Sequence, residues 1–125
     1  MKLCLTSTGP DPDSKLDARF GRCAYFLIFD SETGKVLEKF ENPASEAAHG
    51  AGIQAAQTVM GKKPDAVITG NIGPNASSVL ANAGIKVYPF AGFEGSLKDT
   101  LIAFKESPPE AADGPTVEGH FGQPE

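Results

Sequence analysis

The chain alternates short apolar runs with helical stretches that open on glycine, and this alternation limits the folds it can adopt. Between residues 49 and 104 the predicted order is helix, strand, helix, strand, helix, and we expect Gly61 to end the first of these helices and Gly84 the second. Strands joined through a helix are parallel, because the crossover returns the chain to the same end of the sheet. The middle of the chain therefore predicts an α/β sheet covered by helices.

Three further apolar runs precede this alternation. Strands are predicted over residues 2–6, 24–29 and 35–40, and the polar turn DSETGK makes the second and third antiparallel neighbours. If the first strand is also antiparallel to the second, it is parallel to the others. The C-terminal ends of the first, third, fourth and fifth strands then share one edge with the start of the second.

The loops at this edge have the composition of an anion site. They read STG, RFGRC, ENPASEAAHGAG, GNIGPNA and FAGFEG; three of them lead into predicted helices, and two of these helix entries, HGAG and GNIGPNA, are glycine-rich. Helix N-termini present unpaired N–H groups and partial positive charge, and open α/β sheets bind ligands at the carboxyl ends of their strands. Arg19 and Arg22 lie beside these helix starts. A thiolate or an imidazole at this edge would bind metal.

Each of these side chains also has a structural interpretation. The two arginines pair equally well with acidic residues of the same loop. The cysteines are small enough to be inert core residues, Cys4 more so than Cys23, and His49 suits a solvated position near a helix start. The acidic residues that could pair with Arg19 and Arg22 in this way are Asp11, Asp13 and Asp17. His120, in the acidic C-terminal region, is incidental to any site.

Composition narrows the setting. The formal net charge is -5, but the stretch from Ser107 onward holds four acidic and no basic side chains, so the preceding residues are nearly neutral. This argues against a nucleic-acid partner. No run approaches the roughly 20 apolar residues that span a bilayer, and the N-terminal residues lack the features of a secretory signal. We expect a cytoplasmic protein with one domain over residues 1–106 and a disordered, Pro-rich acidic tail over residues 107–125.

Four blocks of the sequence carry a resemblance to a known family. In order and spacing, LDARFGRCAYF, ENPASEAAHGAGIQAAQ, ITGNIGPNASSVL and AGIKVY resemble the dinitrogenase iron–molybdenum cofactor biosynthesis family, over about residues 1–105. The resemblance implies a three-layer ribonuclease H-like α/β fold. Its five-stranded mixed sheet has the order 3-2-1-4-5, with strand 2 antiparallel and helices on both faces.

The same resemblance implies a function and a set of site residues. It implies a carrier of iron–molybdenum cofactor, its precursor or a related metal–sulfur cluster, working with cluster donor and acceptor proteins. From their side-chain chemistry at this edge, rather than from the resemblance, we expect the metal ligands to be Cys23 and His49. The cofactor-binding candidates at this edge are Arg19, Arg22, Asn42, Gly50, Gly52, Asn71, Gly73 and Asn75.

The presence or absence of carboxylates in the predicted strands bears on whether the protein could be a nuclease. A ribonuclease H-like nuclease needs carboxylates on the central strands to hold two metal ions, whereas the first and fourth predicted strands read KLCLT and AVIT. We therefore expect no nuclease activity. A protein that binds a phosphorylated metabolite, or hydrolyses it, is the alternative, because phosphate would use the same arginines and amides.

Overall fold

The computed structural model describes residues 1–47 and 49–116 and contains the predicted elements in the predicted order. The elements are β1 (Lys2–Ser7), β2 (Tyr25–Asp30), β3 (Val36–Glu41), α1 (Ala51–Lys62), β4 (Ala66–Thr69), α2 (Pro74–Asn82), β5 (Lys86–Pro89) and α3 (Leu97–Glu106).

The sheet has the order β3-β2-β1-β4-β5. β2 is antiparallel to β1 and β3, whereas β1, β4 and β5 are mutually parallel. The α/β architecture with a mixed sheet and an antiparallel second strand is therefore confirmed. We call the edge formed by the C-terminal ends of β1, β3, β4 and β5 and the start of β2 the loop edge.

Alternate residues of the central strands divide the core in two. Cys4, Ile28 and Val67 face one side and share a cluster with the apolar residues of α1 and α2. Leu5 and Ile68 face the other side, where α3 covers them. Since the side chains of a strand alternate between its faces, both faces are buried, and the fold has the three expected layers.

Helix boundaries show where turn chemistry decides the structure. α1 begins at residue 51 rather than 49, because Gly50 adopts a φ of 69° that is incompatible with a helix. We predicted that Gly61 would end this helix, which is wrong: α1 continues to Lys62, and Lys63 takes the left-handed conformation immediately before Pro64. The predicted stop of α2 at Gly84 is confirmed, since this residue has a φ of 75° one position beyond the cap.

The β1–β2 loop and the β4–α2 loop are joined through their backbones. The Asn71 N–H donates to the Ala18 carbonyl at 2.8 Å, and the Phe20 N–H donates to the Asn71 carbonyl at 3.3 Å. The chains approach so closely that a Cβ at Gly70 would lie 2.6 Å from the Ala18 Cα. Residue 70 must therefore lack a side chain.

The described part of the C-terminal region contacts the domain. Residues 107–116 contain no helix or strand, but the Ala112 N–H donates to the Val87 carbonyl and the Thr116 N–H donates to the Ile72 carbonyl, both at 2.8 Å. The domain boundary after residue 106 and the mobility of the tail stay predictions. His120 lies outside the described residues.

Gly70→Ala is expected to destabilise the protein by about 1–3 kcal/mol, because its methyl group meets backbone atoms that must move. The free energy of unfolding in urea measures the effect. Gly61→Ala is the matched control. It lies within α1 with open space around its Cβ, so it should stabilise by about 0.5–1 kcal/mol. A Gly70→Ala variant as stable as wild type would contradict the close approach of the two loops.

Both thiols should be unreactive in the folded protein. Burial raises the pKa of Cys4 and of Cys23, and the negative charge of Asp17 raises the pKa of Cys23 further. Stability from these thiols is therefore complete below about pH 8.5 and is lost as pH rises, because the unfolded thiols ionise first. Ellman's reagent should react with neither thiol of the native protein near neutral pH, and with both after unfolding. Rapid reaction of one native thiol would show that its position is open.

Candidate functional site

Three loops meet at the loop edge, and the β1–β2 loop contacts the other two. Its Arg22 donates from Nη1 to the Ser45 carbonyl in the β3–α1 loop at 3.1 Å. Its Arg19 pairs with Asn71 of the β4–α2 loop in a parallel bridge. The structure therefore places both arginines beside the loops that lead into α1 and α2, as the sequence predicts.

Arg22 has an unsatisfied donor. Its Nε is buried and has no hydrogen-bond partner among the residues that the structure describes. None of the ion pairs found in that part of the chain involves Arg22. Leaving a buried donor unpaired costs roughly 1–3 kcal/mol. An acceptor atom from a ligand would remove this cost, so Arg22 is suited to binding an anion.

Arg19 is in a different state. Its side chain is 66% exposed, and its Nε lies 3.4 Å from Oδ1 of Asp17, which is almost fully buried. The same oxygen accepts the backbone N–H of Arg19 at 2.9 Å. For Arg19 the alternative interpretation, pairing with an acid of its own loop, is therefore correct, although its guanidinium is still accessible at the loop edge.

Asn42 bonds the carbonyl groups of the two residues that flank Arg22. Its Nδ2 donates to the carbonyls of Gly21 and Cys23 at 3.0 and 2.9 Å, and its Oδ1 accepts the Ala44 N–H at 3.0 Å. These polar atoms are buried and bonded within the protein. Contact between Asn42 and a cofactor stays a prediction; the contacts described here make it a positioning residue for Arg22.

The two predicted metal ligands differ in access. Cys23 is fully buried, and its thiol donates to the Phe20 carbonyl at 3.4 Å. Burial and the charge of Asp17 raise its pKa, which disfavours the thiolate that metals bind. Its position agrees with the core interpretation, and coordination by Cys23 stays a prediction. His49, by contrast, is exposed just before α1.

Two helices begin at this edge without a capping side chain. Gly50 precedes α1 and Gly73 precedes α2, and neither helix has a side-chain cap or an acidic residue in its first turn. Pro74, as the first residue of α2, needs no hydrogen-bond acceptor for its nitrogen. The other predicted residues are Gly52, buried in the first turn of α1, Asn71, half-buried, and Asn75, exposed in the first turn of α2.

No set of three His, Cys, Asp or Glu side chains in residues 1–47 and 49–116 is arranged to hold a metal ion. Across the same residues, no helix is both long enough and apolar enough to cross a bilayer.

Sequence reasoning missed one residue at the loop edge. Thr116 reaches the β4–α2 loop, where its hydroxyl accepts the Ile72 N–H at 2.7 Å and lies 3.4 Å from Oδ1 of Asn71. Nothing in the polar, Pro-rich sequence around it signals this contact, which depends on where α3 ends relative to β5.

Several known proteins resemble this chain in sequence or in structure. The apo form of the orange protein from Desulfovibrio gigas has a TM-score of 0.83 and 34% identity, covering 93% of this chain and 96% of that one. A putative NifB protein from Thermotoga has a TM-score of 0.78 and 36% identity, covering 94% and 98%. An uncharacterized protein of Methanocaldococcus jannaschii is 38% identical over 90 residues, which is 70% of this chain and 73% of that protein.

The family profile described as Dinitrogenase iron-molybdenum cofactor matches residues 1–107, which include all the helices and strands of the described residues and the loops that join them. The resemblance to this family that the four sequence blocks indicate is thereby confirmed. This chain belongs to the dinitrogenase iron–molybdenum cofactor family.

Proposed function

We propose that the protein is a non-catalytic carrier that binds an anionic metal–sulfur cluster at the loop edge. The cargo would be iron–molybdenum cofactor, its precursor or a related iron–sulfur or molybdenum–sulfur cluster. The observation that carries the proposal is the buried Nε of Arg22, which has no hydrogen-bond partner among the residues that the structure describes. A donor held in this state favours a ligand that supplies an acceptor and a negative charge.

The chemistry of such a cluster suits the rest of the edge. Exposed sulfides accept hydrogen bonds from guanidinium and backbone N–H groups, and hydrogen bonding to sulfur tunes a cluster without coordinating it. Arg22 supplies the charge, the start of α1 supplies amides and partial positive charge, and the start of α2 adds partial positive charge. His49 is the predicted ligand that an open metal position reaches without disturbing the core.

The comparisons support this class of function. The family is described by the iron–molybdenum cofactor, and one relative of the same fold is a putative NifB protein. A carrier has to receive and deliver its cargo, so the proposal includes cluster donor and acceptor proteins as partners. It includes no nucleic acid, and neither β1 nor β4 contains a carboxylate for nuclease chemistry.

Arg22→Ala should weaken binding of tetrathiomolybdate, a small molybdenum–sulfur anion, by about ten- to a hundredfold. A hydrogen bond to a charged group contributes roughly 1.5–3 kcal/mol. Anaerobic titration of the purified protein, followed by absorption, measures the dissociation constant at two salt concentrations. The loss should shrink at high salt, because part of it is the charge.

Two variants serve as controls for Arg22→Ala. Arg19→Ala should have a smaller effect, because this arginine is exposed and paired with Asp17. Lys35→Ala removes a cation beside the β2–β3 turn, at the opposite end of the sheet, and should have none. Equal binding by wild type and Arg22→Ala would contradict the proposal. Binding of inorganic phosphate in place of the thiomolybdate would favour the phosphorylated-metabolite alternative.

His49→Ala should change the absorption spectrum of the bound cluster, because it removes a coordinating atom, whereas Arg22→Ala should change mainly the affinity. The measurement is the spectrum at saturating iron–molybdenum cofactor under argon. Cys23→Ala tests the buried position in the same assay. An unchanged spectrum assigns Cys23 to the core, as its burial indicates, and a shifted one shows that its segment opens to coordinate metal. A His49→Ala spectrum identical to wild type would remove His49 from the ligand set.

A further inference from the structure

The chain after α3 returns to the loop edge. We call residues 107–116 the C-terminal strap. It crosses β5, where the Ala112 N–H donates to the Val87 carbonyl at 2.8 Å, and ends against the β4–α2 loop. β5 is the last strand of the sheet, so the strap also covers an edge that would otherwise be open to pairing.

Thr116 occupies both backbone groups of Ile72. Its N–H donates to the Ile72 carbonyl at 2.8 Å, and its hydroxyl oxygen accepts the Ile72 N–H at 2.7 Å. That hydroxyl also lies 3.4 Å from Oδ1 of Asn71. Ile72 lies between Asn71 and Gly73, two of the predicted cofactor-binding residues. The strap thus supplies an oxygen acceptor to an amide of the same loop that would otherwise donate to an anion.

The strap is held weakly compared with the elements around it. It contains no helix or strand, and Thr116 is itself exposed. Between the strap, α2 and β5 lies an open cleft of about 240 Å³, lined by Ser77 and Ala81 on one side and by Ala112 and Asp113 on the other. A few hydrogen bonds therefore hold it over incompletely filled space, so displacing it costs little.

The charge of the strap also favours its displacement by an anion. Glu110 and Asp113 are exposed and form none of the ion pairs found in the described residues, and the strap has no basic side chain. Asp113 lines the cleft between α2 and β5, which Lys86 also lines, and comes three residues before Thr116, so the strap adds negative charge next to a loop that, in the proposed function, binds an anion. Like charges disfavour simultaneous occupancy.

We infer that the C-terminal strap is an internal competitor of the cargo: it closes the β4–α2 loop in the unloaded protein and leaves it when the anionic cluster binds. This inference rests on the proposed function. A binding-competent state that is only partly populated lowers the apparent affinity by its fractional population. The strap therefore weakens capture of the cluster and lowers the barrier to its release.

Full-length variants with a loosened strap test the inference. Thr116→Val removes the hydroxyl with little change of shape, and Ala112→Pro removes the N–H that bonds Val87. The double variant should bind tetrathiomolybdate about five- to tenfold more tightly than wild type, since each lost hydrogen bond shifts the equilibrium by up to about tenfold. The Ile72 amide should exchange with solvent faster by a similar factor. Thr33→Val, which removes a hydroxyl from the β2–β3 turn at the other end of the sheet, is the control and should change neither quantity.

The possible results separate the two proposals. Tighter binding with faster Ile72 exchange supports the strap as a competitor. Unchanged binding with faster exchange overturns the inference and leaves the carrier function standing, and weaker binding overturns it too, because the strap would then help to hold the cargo. Unchanged exchange shows that Thr116 does not protect Ile72 and also overturns it. If neither wild type nor the double variant binds, the proposed function and the inference fail together.

Discussion

The β1–β2 loop and the β4–α2 loop hold each other in place, and the loop edge depends on this pairing. Asn71 exchanges backbone hydrogen bonds with Ala18 and Phe20. Below them, the buried Thr6 hydroxyl donates to the Asp17 carbonyl at 2.8 Å and lies 3.0 Å from the Thr69 hydroxyl. Because these bonds tie a long, irregular loop to two central strands, Arg19 and Arg22 are presented from a fixed backbone.

A second buried side chain, Asn42, fixes the backbone from which Arg22 extends. Asn42 bonds the peptide carbonyls of Gly21 and Cys23, so the backbone around Arg22 is held while its side chain crosses to Ser45. Buried polar groups are normally satisfied, and the residual unsatisfied Nε is therefore informative. In the proposed function the cargo supplies the missing acceptor, and the unfavourable free energy of the unpaired donor belongs to the site.

The fold was largely predictable because its signals are local. The apolar run before DSETGK and the glycines near the helix starts determine element order, and element order with short connections determines which loops share an edge. The helix ends were less predictable: Gly61 reads as a terminator, yet Pro64 sets the limit of α1. Gly61 does not adopt a left-handed φ, so the helix continues through it.

The site was predictable by residue type and region but not by role. Arg19 and Arg22 read alike in the sequence, and only their surroundings distinguish the ion-paired, exposed side chain from the one with a buried, unpaired nitrogen. Asn42 reads as a ligand-facing loop residue, whereas its three bonds turn it inward. The contact between Thr116 and Ile72 joins residues far apart in the chain, and no local pattern encodes it.

The most direct test of the proposed cluster-carrier function is to isolate the protein without oxygen from cells supplied with iron and molybdate. Its content of metal and acid-labile sulfide is then measured. We expect a coloured protein that contains sulfide together with molybdenum or iron. The Arg22→Ala variant should be isolated with much less metal and much less sulfide. A colourless wild-type protein, free of metal and sulfide and indistinguishable from Arg22→Ala, would contradict the proposed function.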